Sequence, residues 1–266
     1  MDTMTWARRL GVSVILLAGS GLAVSGDVAD RVRSSSTVKV CVWPAYFGIT
    51  YRASPGAPLI GLDAELSQEF AKDLGVQRQT VDSSFATLID DLVSGKCDVA
   101  MFAVGVLPQR QAHLQFTQPY LKSDIYGIAK RDDRSVRDWT DIDRPGVRVA
   151  VQAGTFMEPV MTEALKQSKL VVVKPPQTRE QALQAGEVDV FMTDFPYSRR
   201  LLSQSDEFRL IRPTRPFFEL PYAYAVKPGD DAWFKQVDAF VSRIKRDGRL
   251  AAAAGRHGLT DIMVSR

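Results

Sequence analysis

The chain has 266 residues, of which 45% are hydrophobic and 24% are charged, and its formal net charge is only +3. This composition is typical of a globular protein, and the length allows one large domain or two moderate ones, each with its own core. Acidic and basic residues are interspersed and form no basic stripe with interleaved aromatic residues, which argues against nucleic acid as a partner.

Residues 1–26 have the layout of a secretory signal peptide. Arg8 and Arg9 form a short positive flank, residues 10–24 are apolar or small, and small residues follow at positions 25 and 26. The apolar core is too short for a comfortable membrane span, which favours a cleaved signal over an uncleaved N-terminal anchor. No cysteine lies near the expected cut, so a lipoprotein anchor has no support in the sequence. We therefore expect an exported protein.

Two cysteines and two histidines bear on redox chemistry and on metal binding. Cys41 and Cys97 each lie in or beside an apolar run that predicts a strand, and export permits disulfides. A bridge requires neighbouring strands with a suitable Cα separation; otherwise both are small buried side chains, and we favour free thiols. His113 and His257 are far apart in the sequence and lack the spacing of ligands around them, so we expect no metal site.

The first part of the chain predicts a parallel sheet with helical crossovers. Apolar or β-branched runs typical of buried strands alternate with runs that have helical spacing of apolar residues. The strands are predicted at 38–43, 76–81 and 99–106, and the helices at 64–74 and 85–94. Asp63 is expected to cap the first of these helices. Strand–helix alternation of this kind produces parallel strands with right-handed crossovers.

Arg110 stands just past the predicted strand 99–106, in a helix that Pro108 begins. Open α/β sheets place their ligands at the carboxyl ends of their strands. A guanidinium there can bind a carboxylate or phosphate through two parallel hydrogen bonds. Position alone leaves a second interpretation equally open, in which Arg110 is a solvated arginine in a surface ion pair.

The chain repeats this pattern. A shift of 91 positions places residues 92–103 over residues 183–194, with identities at five of the twelve positions. Strands are then expected at 147–151, 170–173 and 188–192, and helices at 157–165 and 178–185. The repeat predicts two lobes of similar construction, and it places Ala103 over Asp194 at the ends of equivalent strands.

The C-terminal part predicts a return to the first lobe. Residues 217–227 form a strand-like run, Asp230 or Asp231 begins an amphipathic helix, and residues 251–254 belong to a short final helix. This segment has no sheet of its own, so two strands would cross between the lobes, near 122–130 and 217–226. Two crossing strands make a hinge.

An exported two-lobed α/β protein with a double crossover resembles the periplasmic solute-binding proteins of the polar-amino-acid family, family 3, which serve ABC importers. The resemblance spans about residues 38–259. Its ordered marks are VKVCVW at 38–43, GLDAEL at 61–66, GKCDVAMF at 95–102, PQR at 108–110, FTQPY at 116–120, AGEVDVFMTD at 185–194 and DGRL at 247–250.

The resemblance implies a type II periplasmic-binding-protein fold with two crossover strands as its hinge. Lobe 1 would comprise residues 37–124 and 220–266, and lobe 2 residues 125–219. The protein would be a periplasmic monomer that captures an amino acid or related carboxylate between the lobes and delivers it to the membrane permease of an ABC importer, without a cofactor.

The resemblance also implies roles for site residues. Arg110 would hold the ligand's α-carboxylate and Asp194 its α-ammonium, and Tyr46 and Phe85 would sandwich the side chain. Thr155, beside a helix N-terminus, would assist with the carboxylate. The alternative for Asp194 is a helix N-cap.

This sequence departs from the family pattern where hydroxyl groups are common. Phe102, Ala103, Gly105 and Leu107 precede the arginine, and Phe156 replaces another hydroxyl. Trp43 adds to the aromatic residues around the site. The pattern indicates a bulky apolar amino acid or an organic acid without an ammonium group, unless these aromatic residues only fill the cores of the lobes.

Two other functions stay open at this stage. Some proteins with this fold are periplasmic dehydratases that act on cyclic carboxylates, as cyclohexadienyl dehydratase does, and they need a general acid in the cleft. Asp194, Glu219 and Asp82 are the candidates here. The third function is an accessory module of a periplasmic oxidoreductase or sensor, in which the amino-acid contacts are lost.

Overall fold

The computed structural model describes residue 1 and residues 27–264, and the predicted signal peptide lies almost wholly outside them. The strands are β1 Thr37–Val42, β2 Ala45–Tyr46, β3 Thr50–Tyr51, β4 Gln77–Asp82, β5 Val99–Gly105, β6 Gln115–Phe116, β7 Leu121–Ser123, β8 Tyr126–Lys130, β9 Arg148–Gln152, β10 Lys169–Val173, β11 Val190–Thr193, β12 Phe208–Ile211 and β13 Leu220–Val226. The helices are α1 Asp27–Ser35, α2 Leu62–Leu74, α3 Leu88–Val93, α4 Pro108–Gln111, α5 Met157–Ala164, α6 Arg179–Gln184, α7 Phe195–Leu202, α8 Asp231–Arg246 and α9 Arg249–His257.

The strands form two mixed sheets and a short hairpin. The first sheet has the order β4-β1-β5-β13-β6, with β7 also paired to β13, and the second has the order β10-β9-β11-β8-β12. In each sheet a parallel trio of strands continues into antiparallel strands. The predicted two-lobed α/β fold is confirmed.

We call the part built on the first sheet lobe 1 and the part built on the second sheet lobe 2. The C-terminal helices lie on lobe 1, where Arg249 forms an ion pair with Asp73 at 2.8 Å and the Trp233 indole donates to the Asp98 carbonyl at 2.8 Å. The residue boundaries given above for the two lobes stay predictions.

The sequence repeat has a structural counterpart. In lobe 1 the Asp98 carboxylate accepts a hydrogen bond from the Lys39 amide at 2.7 Å, and in lobe 2 the Asp189 carboxylate accepts one from the Arg148 amide at 2.7 Å. Each aspartate thus links the start of the third strand of its trio to the first strand. The identity of the two aspartates in the shifted alignment reflects this shared contact.

The chain passes between the sheets twice, after β7 and before β13, and one side chain links the two passages. Asp124 accepts hydrogen bonds from the amides of Phe217 and Phe218 at 2.8 Å and 2.7 Å. The two crossing segments are therefore held side by side, as a hinge requires.

Two expectations about lobe 1 are wrong. Cys41 and Cys97 are joined in a disulfide, with their Cα atoms 5.6 Å apart, because β1 and β5 are neighbouring strands. Asp63 does not cap α2, because the helix begins two residues earlier than predicted, at Leu62, and Gly61 is at its N-cap. Its side chain instead points into the core of lobe 1, where no part of it is exposed to solvent.

None of the helices within residues 27–264 is both long and apolar enough to cross a bilayer.

Candidate functional site

A small cavity lies between the lobes at the ends of β5 and β11. Its volume is about 20 Å³, close to the space that one water molecule needs. Seven of the ten predicted site residues line it: Trp43, Tyr46, Phe85, Ala103, Thr155, Phe156 and Asp194. In this closed arrangement any larger solute enters only if the walls of the cavity separate.

Asp194 is both a helix cap and a wall of the cavity. It follows β11 directly, and its carboxylate accepts a hydrogen bond from the Tyr197 amide at 3.1 Å, which caps α7. It also accepts from the hydroxyl of Tyr222 at 2.8 Å and from the hydroxyl of Tyr46. Capping α7 and lining the cavity are therefore compatible roles for the Asp194 side chain.

The hydrogen bonds to Asp194 join the two lobes. Asp194 and Tyr197 belong to lobe 2, whereas Tyr222 lies in β13 of lobe 1. Tyr46 lies in the hairpin β2–β3, which follows β1 and is attached to α2 of lobe 1, because the Ile49 carbonyl accepts from the amides of Asp63 and Ala64. Only 2% of Asp194 is exposed, and its burial raises the pKa of the carboxyl group above the ordinary value, while the tyrosine hydroxyls oppose that rise. Burial in turn raises the pKa of Tyr46 and Tyr222 far above that of free tyrosine, so both remain hydrogen-bond donors.

Arg110 lies beside the cavity and does not line it. Its guanidinium donates to the Gly105 carbonyl at 3.0 Å and to the Gly154 carbonyl at 2.9 Å, one in each lobe. It also lies over the ring of Phe85, 5.1 Å from the ring centre, and Phe85 does line the cavity. Arg110 is 5% exposed and forms no ion pair within the described part of the chain. Burial lowers its pKa to about 10.

Phe102 and Gly105 also lie outside the cavity lining. Phe102 is fully buried in β5, with its ring 5.1 Å from that of Phe85. At Gly105 an added Cβ would lie 2.5 Å from Leu220 Cδ2 and 3.4 Å from Arg110 Nη1. These two residues therefore support the positions of Phe85 and Arg110.

The lobes approach closely at Gly154, next to Thr155. Gly154 has a φ of +75°, and a Cβ there would lie 2.5 Å from the backbone nitrogen of Ala86 in lobe 1. The position thus requires glycine for its backbone conformation and for the narrow gap. The Thr155 hydroxyl donates to the Gln152 carbonyl at 2.7 Å, so its proton is already used inside lobe 2.

Sequence reasoning missed five of the lining residues: Met157, Arg179, Thr193, Tyr197 and Tyr222. Arg179 is the most consequential, because it is a second buried guanidinium, 3% exposed, that donates to the Met192 carbonyl at 2.7 Å and lies 4.5 Å from the centre of the Tyr197 ring. The repeat contained a signal for it, since the 91-residue shift places Arg179 over the fully buried Leu88. Because arginine is rarely buried unless it is paired, an arginine at a position equivalent to a buried leucine indicates a candidate functional residue.

The other acidic candidates lie elsewhere. Asp82 is exposed and forms an ion pair with Arg52 at 2.9 Å, and Glu219 is exposed and forms an ion pair with Lys122 at 2.8 Å. Of the three candidates, only Asp194 lines the cavity. No cluster of three or more potential metal ligands occurs within the part of the chain that the structure describes.

The sequence model of the bacterial extracellular solute-binding proteins, family 3, matches residues 38–259. The chain belongs to this family. The matched residues include both lobes and all the residues that line the cavity between them.

Known proteins from different functional classes are similar to this chain. It is 27% identical over 236 residues to a protein named cyclohexadienyl dehydratase from Pseudomonas aeruginosa, covering 88% of this chain and 87% of that protein. It is 26% identical over 252 residues to the amino-acid-binding protein AabA of Dichelobacter nodosus, covering 91% of this chain and 92% of AabA.

Solved structures share the fold. The amino-acid transporter substrate-binding protein AbpA of Streptococcus pneumoniae, bound to L-arginine, superimposes with a TM-score of 0.77 at 22% identity, covering 88% of this chain and 99% of that one. An ancestral amino-acid-binding protein, AncCDT-1, described as a precursor of cyclohexadienyl dehydratase, gives a TM-score of 0.77 at 24% identity, covering 86% and 98%.

Proposed function

We propose that this chain is a periplasmic binding protein that captures a small carboxylate, an amino acid or a related organic acid, between its lobes and delivers it to the permease of an ABC importer. The observation that carries the proposal is the buried guanidinium of Arg110, which lacks an acidic partner within residues 27–264. A buried cation without a counter-ion is costly, and a ligand carboxylate would supply that counter-ion.

Arg110 can bind a ligand without losing its present contacts. A guanidinium has five N–H donors, and two hydrogen bonds to carbonyls leave others free. Phe85 contacts the guanidinium and also lines the cavity, so we expect its ring to move when a ligand carboxylate reaches Arg110. The contact to Gly154 of lobe 2 then joins ligand binding to closure, and the ligand stabilises the closed state through its higher affinity for that state.

The periplasmic location and the partners follow from the sequence and from the relatives. The chain begins with a predicted signal peptide, and AabA is named as an amino-acid-binding protein. We propose that the protein acts as a monomer whose closed form docks on the permease.

The test is binding by Arg110→Ala. A thermal-shift screen of amino acids and organic acids first identifies a ligand, since a ligand at one hundred times its Kd stabilises the folded state by about 2.7 kcal/mol. Titration calorimetry then compares the parent with Arg110→Ala, which should lose about 2–5 kcal/mol of binding free energy. Arg131→Ala, at an exposed position of lobe 2, is the control and should bind like the parent. Equal affinity of Arg110→Ala and the parent would overturn the proposal.

Catalysis is the second candidate function, because a relative 27% identical to this chain is named a dehydratase. Asp194 is the general acid that this function would use, since burial raises its pKa and so favours the protonated form. The purified protein is incubated with prephenate and with arogenate, and the appearance of an aromatic product is followed by absorbance. Turnover that disappears in Asp194→Asn would establish catalysis, and no turnover by the parent leaves solute binding as the function.

A further inference from the structure

The anion of the cleft already has its hydrogen-bond donors, and they come from the protein itself. Asp194 Oδ2 accepts from the hydroxyls of Tyr46 and Tyr222, and Oδ1 accepts from the amide of Tyr197. All three of these tyrosines are buried. These three bonds use three of the roughly four lone-pair sites of the carboxylate, so a ligand ammonium would find one free acceptor position, on Oδ1. A second bond from the ammonium would displace a tyrosine hydroxyl, which would be left buried without an acceptor.

The two guanidiniums near the cavity, by contrast, donate to neutral carbonyl groups. Within residues 27–264 the hydrogen bonds of Arg110 go to the carbonyls of Gly105 and Gly154, and Arg179 donates to the carbonyl of Met192. Arg179 also lines the same cavity as Asp194. Within residues 27–264 neither guanidinium has a carboxylate in an ion pair, and Asp194 is the carboxylate that lines the cavity. The site therefore has buried positive charge without an ion-pair partner.

A positive group on the ligand would meet Arg179 at close range. Like charges repel strongly in a site from which water is excluded. By contrast, Thr193 lines the cavity with a buried hydroxyl that makes no hydrogen bond within the described part of the chain. That hydroxyl can donate to a hydroxyl or carbonyl oxygen of a ligand, and it can accept from a hydroxyl.

We propose that the ligand of this cleft is a carboxylate without an α-ammonium group, such as a hydroxy acid or a keto acid. This proposal rests on the function proposed above and names the class of solute. The ligand carboxylate pairs with the guanidinium of Arg110, and the hydroxyl of Thr193 bonds to the ligand's α-hydroxyl or α-keto oxygen. The hydroxyls of Tyr46 and Tyr222 keep their bonds to Asp194 in the bound state. The hydroxyls of Tyr46 and Tyr222 thus give Asp194 the hydrogen bonds that a ligand ammonium would give it in a site for a zwitterion.

The experiment uses acids that differ only at the α-substituent. Calorimetry measures the Kd values of the full mature protein for three pairs: L-lactate and L-alanine, L-2-hydroxyisocaproate and L-leucine, and L-phenyllactate and L-phenylalanine. The hydroxy acid of the best-binding pair should bind at least about tenfold more tightly than its amino acid, which is about 1.4 kcal/mol. An amino acid that binds as tightly as its hydroxy partner overturns the inference and leaves solute capture standing. If no acid of either class binds, this inference fails, and solute capture is decided separately by the thermal-shift screen and Arg110→Ala.

A tyrosine variant tests the reason for the preference. In Tyr46→Phe/Tyr222→Phe the Asp194 carboxylate loses two donors, so it can accept an ammonium, and the preference for the hydroxy acid should fall at least about tenfold. Tyr224→Phe is the matched control, because its hydroxyl donates to another buried carboxylate, Asp63. The control should keep the parental preference. A preference unchanged in the double variant overturns the assignment of Tyr46 and Tyr222.

Discussion

Two buried aspartates of this protein have nearly the same set of donors and differ in where those donors come from. Asp63 accepts from the hydroxyls of Tyr120 and Tyr224 and from the amide of Ala103. Asp194 likewise accepts from two tyrosine hydroxyls and one backbone amide. Neither carboxylate has an arginine or lysine in an ion pair within residues 27–264.

The donors of Asp63 all belong to lobe 1, whereas two of the three donors of Asp194 reach it across the cleft. Hydrogen bonds to a charged group contribute about 1.5–3 kcal/mol each. The same chemistry therefore stabilises the folded state of one lobe at Asp63 and the closed arrangement of two lobes at Asp194. Ala103 connects the two clusters, because its amide bonds to Asp63 while its side chain lines the cavity, and it has an unusual φ of +49° for a residue other than glycine.

Of the contacts described in lobe 1, the disulfide should make the largest single contribution to the stability of that lobe. It joins Cys41 and Cys97 across 56 positions, and cross-linking a loop of that length stabilises the folded state by about 4 kcal/mol. Cys41→Ala/Cys97→Ala should lose most of this free energy of unfolding, as measured by urea denaturation. A loss under about 1 kcal/mol would show that lobe 1 does not depend on the bridge.

The pH dependence of stability separates Asp63 from the surface carboxylates. Burial raises the pKa of Asp63 from the ordinary 3.8 to about 6, so the folded state binds this proton more tightly than the unfolded state does. The stabilisation by the bound proton is fully present below pH 4 and is lost as the pH rises through 6. This amounts to about 3 kcal/mol, because each pH unit of difference in pKa is about 1.4 kcal/mol.

The measurement is urea denaturation of the parent and of Asp63→Asn from pH 4 to pH 7. From pH 4 to pH 7 the stability of the parent should fall relative to that of Asp63→Asn by about 2.4 kcal/mol, slightly less than the full effect because the unfolded carboxyl group is already partly ionised at pH 4. Asp194→Asn should show a shift of the same sign, because burial raises the pKa of Asp194 too. A constant difference between the parent and Asp63→Asn would contradict the account.

Tyr224→Phe should destabilise lobe 1. The substitution removes the hydroxyl that donates to Asp63 at 2.9 Å and leaves a buried carboxylate with one donor fewer. We expect the free energy of unfolding to fall by about 1.5–3 kcal/mol. Urea denaturation at pH 7 measures it, and a loss within the error of the extrapolation would mean that Asp63 does not need the Tyr224 hydroxyl.

Tyr222→Phe should have the smallest effect on unfolding. Its hydroxyl bonds to Asp194 across the lobe interface, so the substitution should weaken closure and leave the stability of the open state unchanged. The loss of unfolding free energy should be below that of Tyr224→Phe, while small-angle X-ray scattering should give a larger radius of gyration than the parent's. Equal losses for Tyr222→Phe and Tyr224→Phe, without a change in size, would remove the distinction between the two clusters.

Local patterns were enough to predict most of the fold. The apolar runs of β1, β5 and β9 and the glycines that end helices marked the strand–helix alternation, and the 91-residue shift predicted two lobes of similar construction. The position of Arg110 after β5 also followed from the strand pattern. These features depend on residues that are close together in the sequence.

The contacts that were missed depend on distant parts of the chain. Asp63 has the sequence position of a helix cap, and only the return of β13, which brings Tyr224, gives its carboxylate a place in the core. The disulfide depends on the order of strands in the sheet, which the alternation of strands and helices does not specify. Tyr222 of lobe 1 meets Asp194 only after the lobes come together, and Arg179 reaches the same cavity through the packing of α6 within lobe 2.

A crystal structure of the protein with its tightest-binding carboxylate tests the central claim most directly. The account predicts that the ligand lies between the lobes, with its carboxylate hydrogen-bonded to the Arg110 guanidinium and with Tyr46 and Tyr222 still bonded to Asp194. A ligand whose carboxylate lies away from Arg110, or which touches one lobe only, would contradict it.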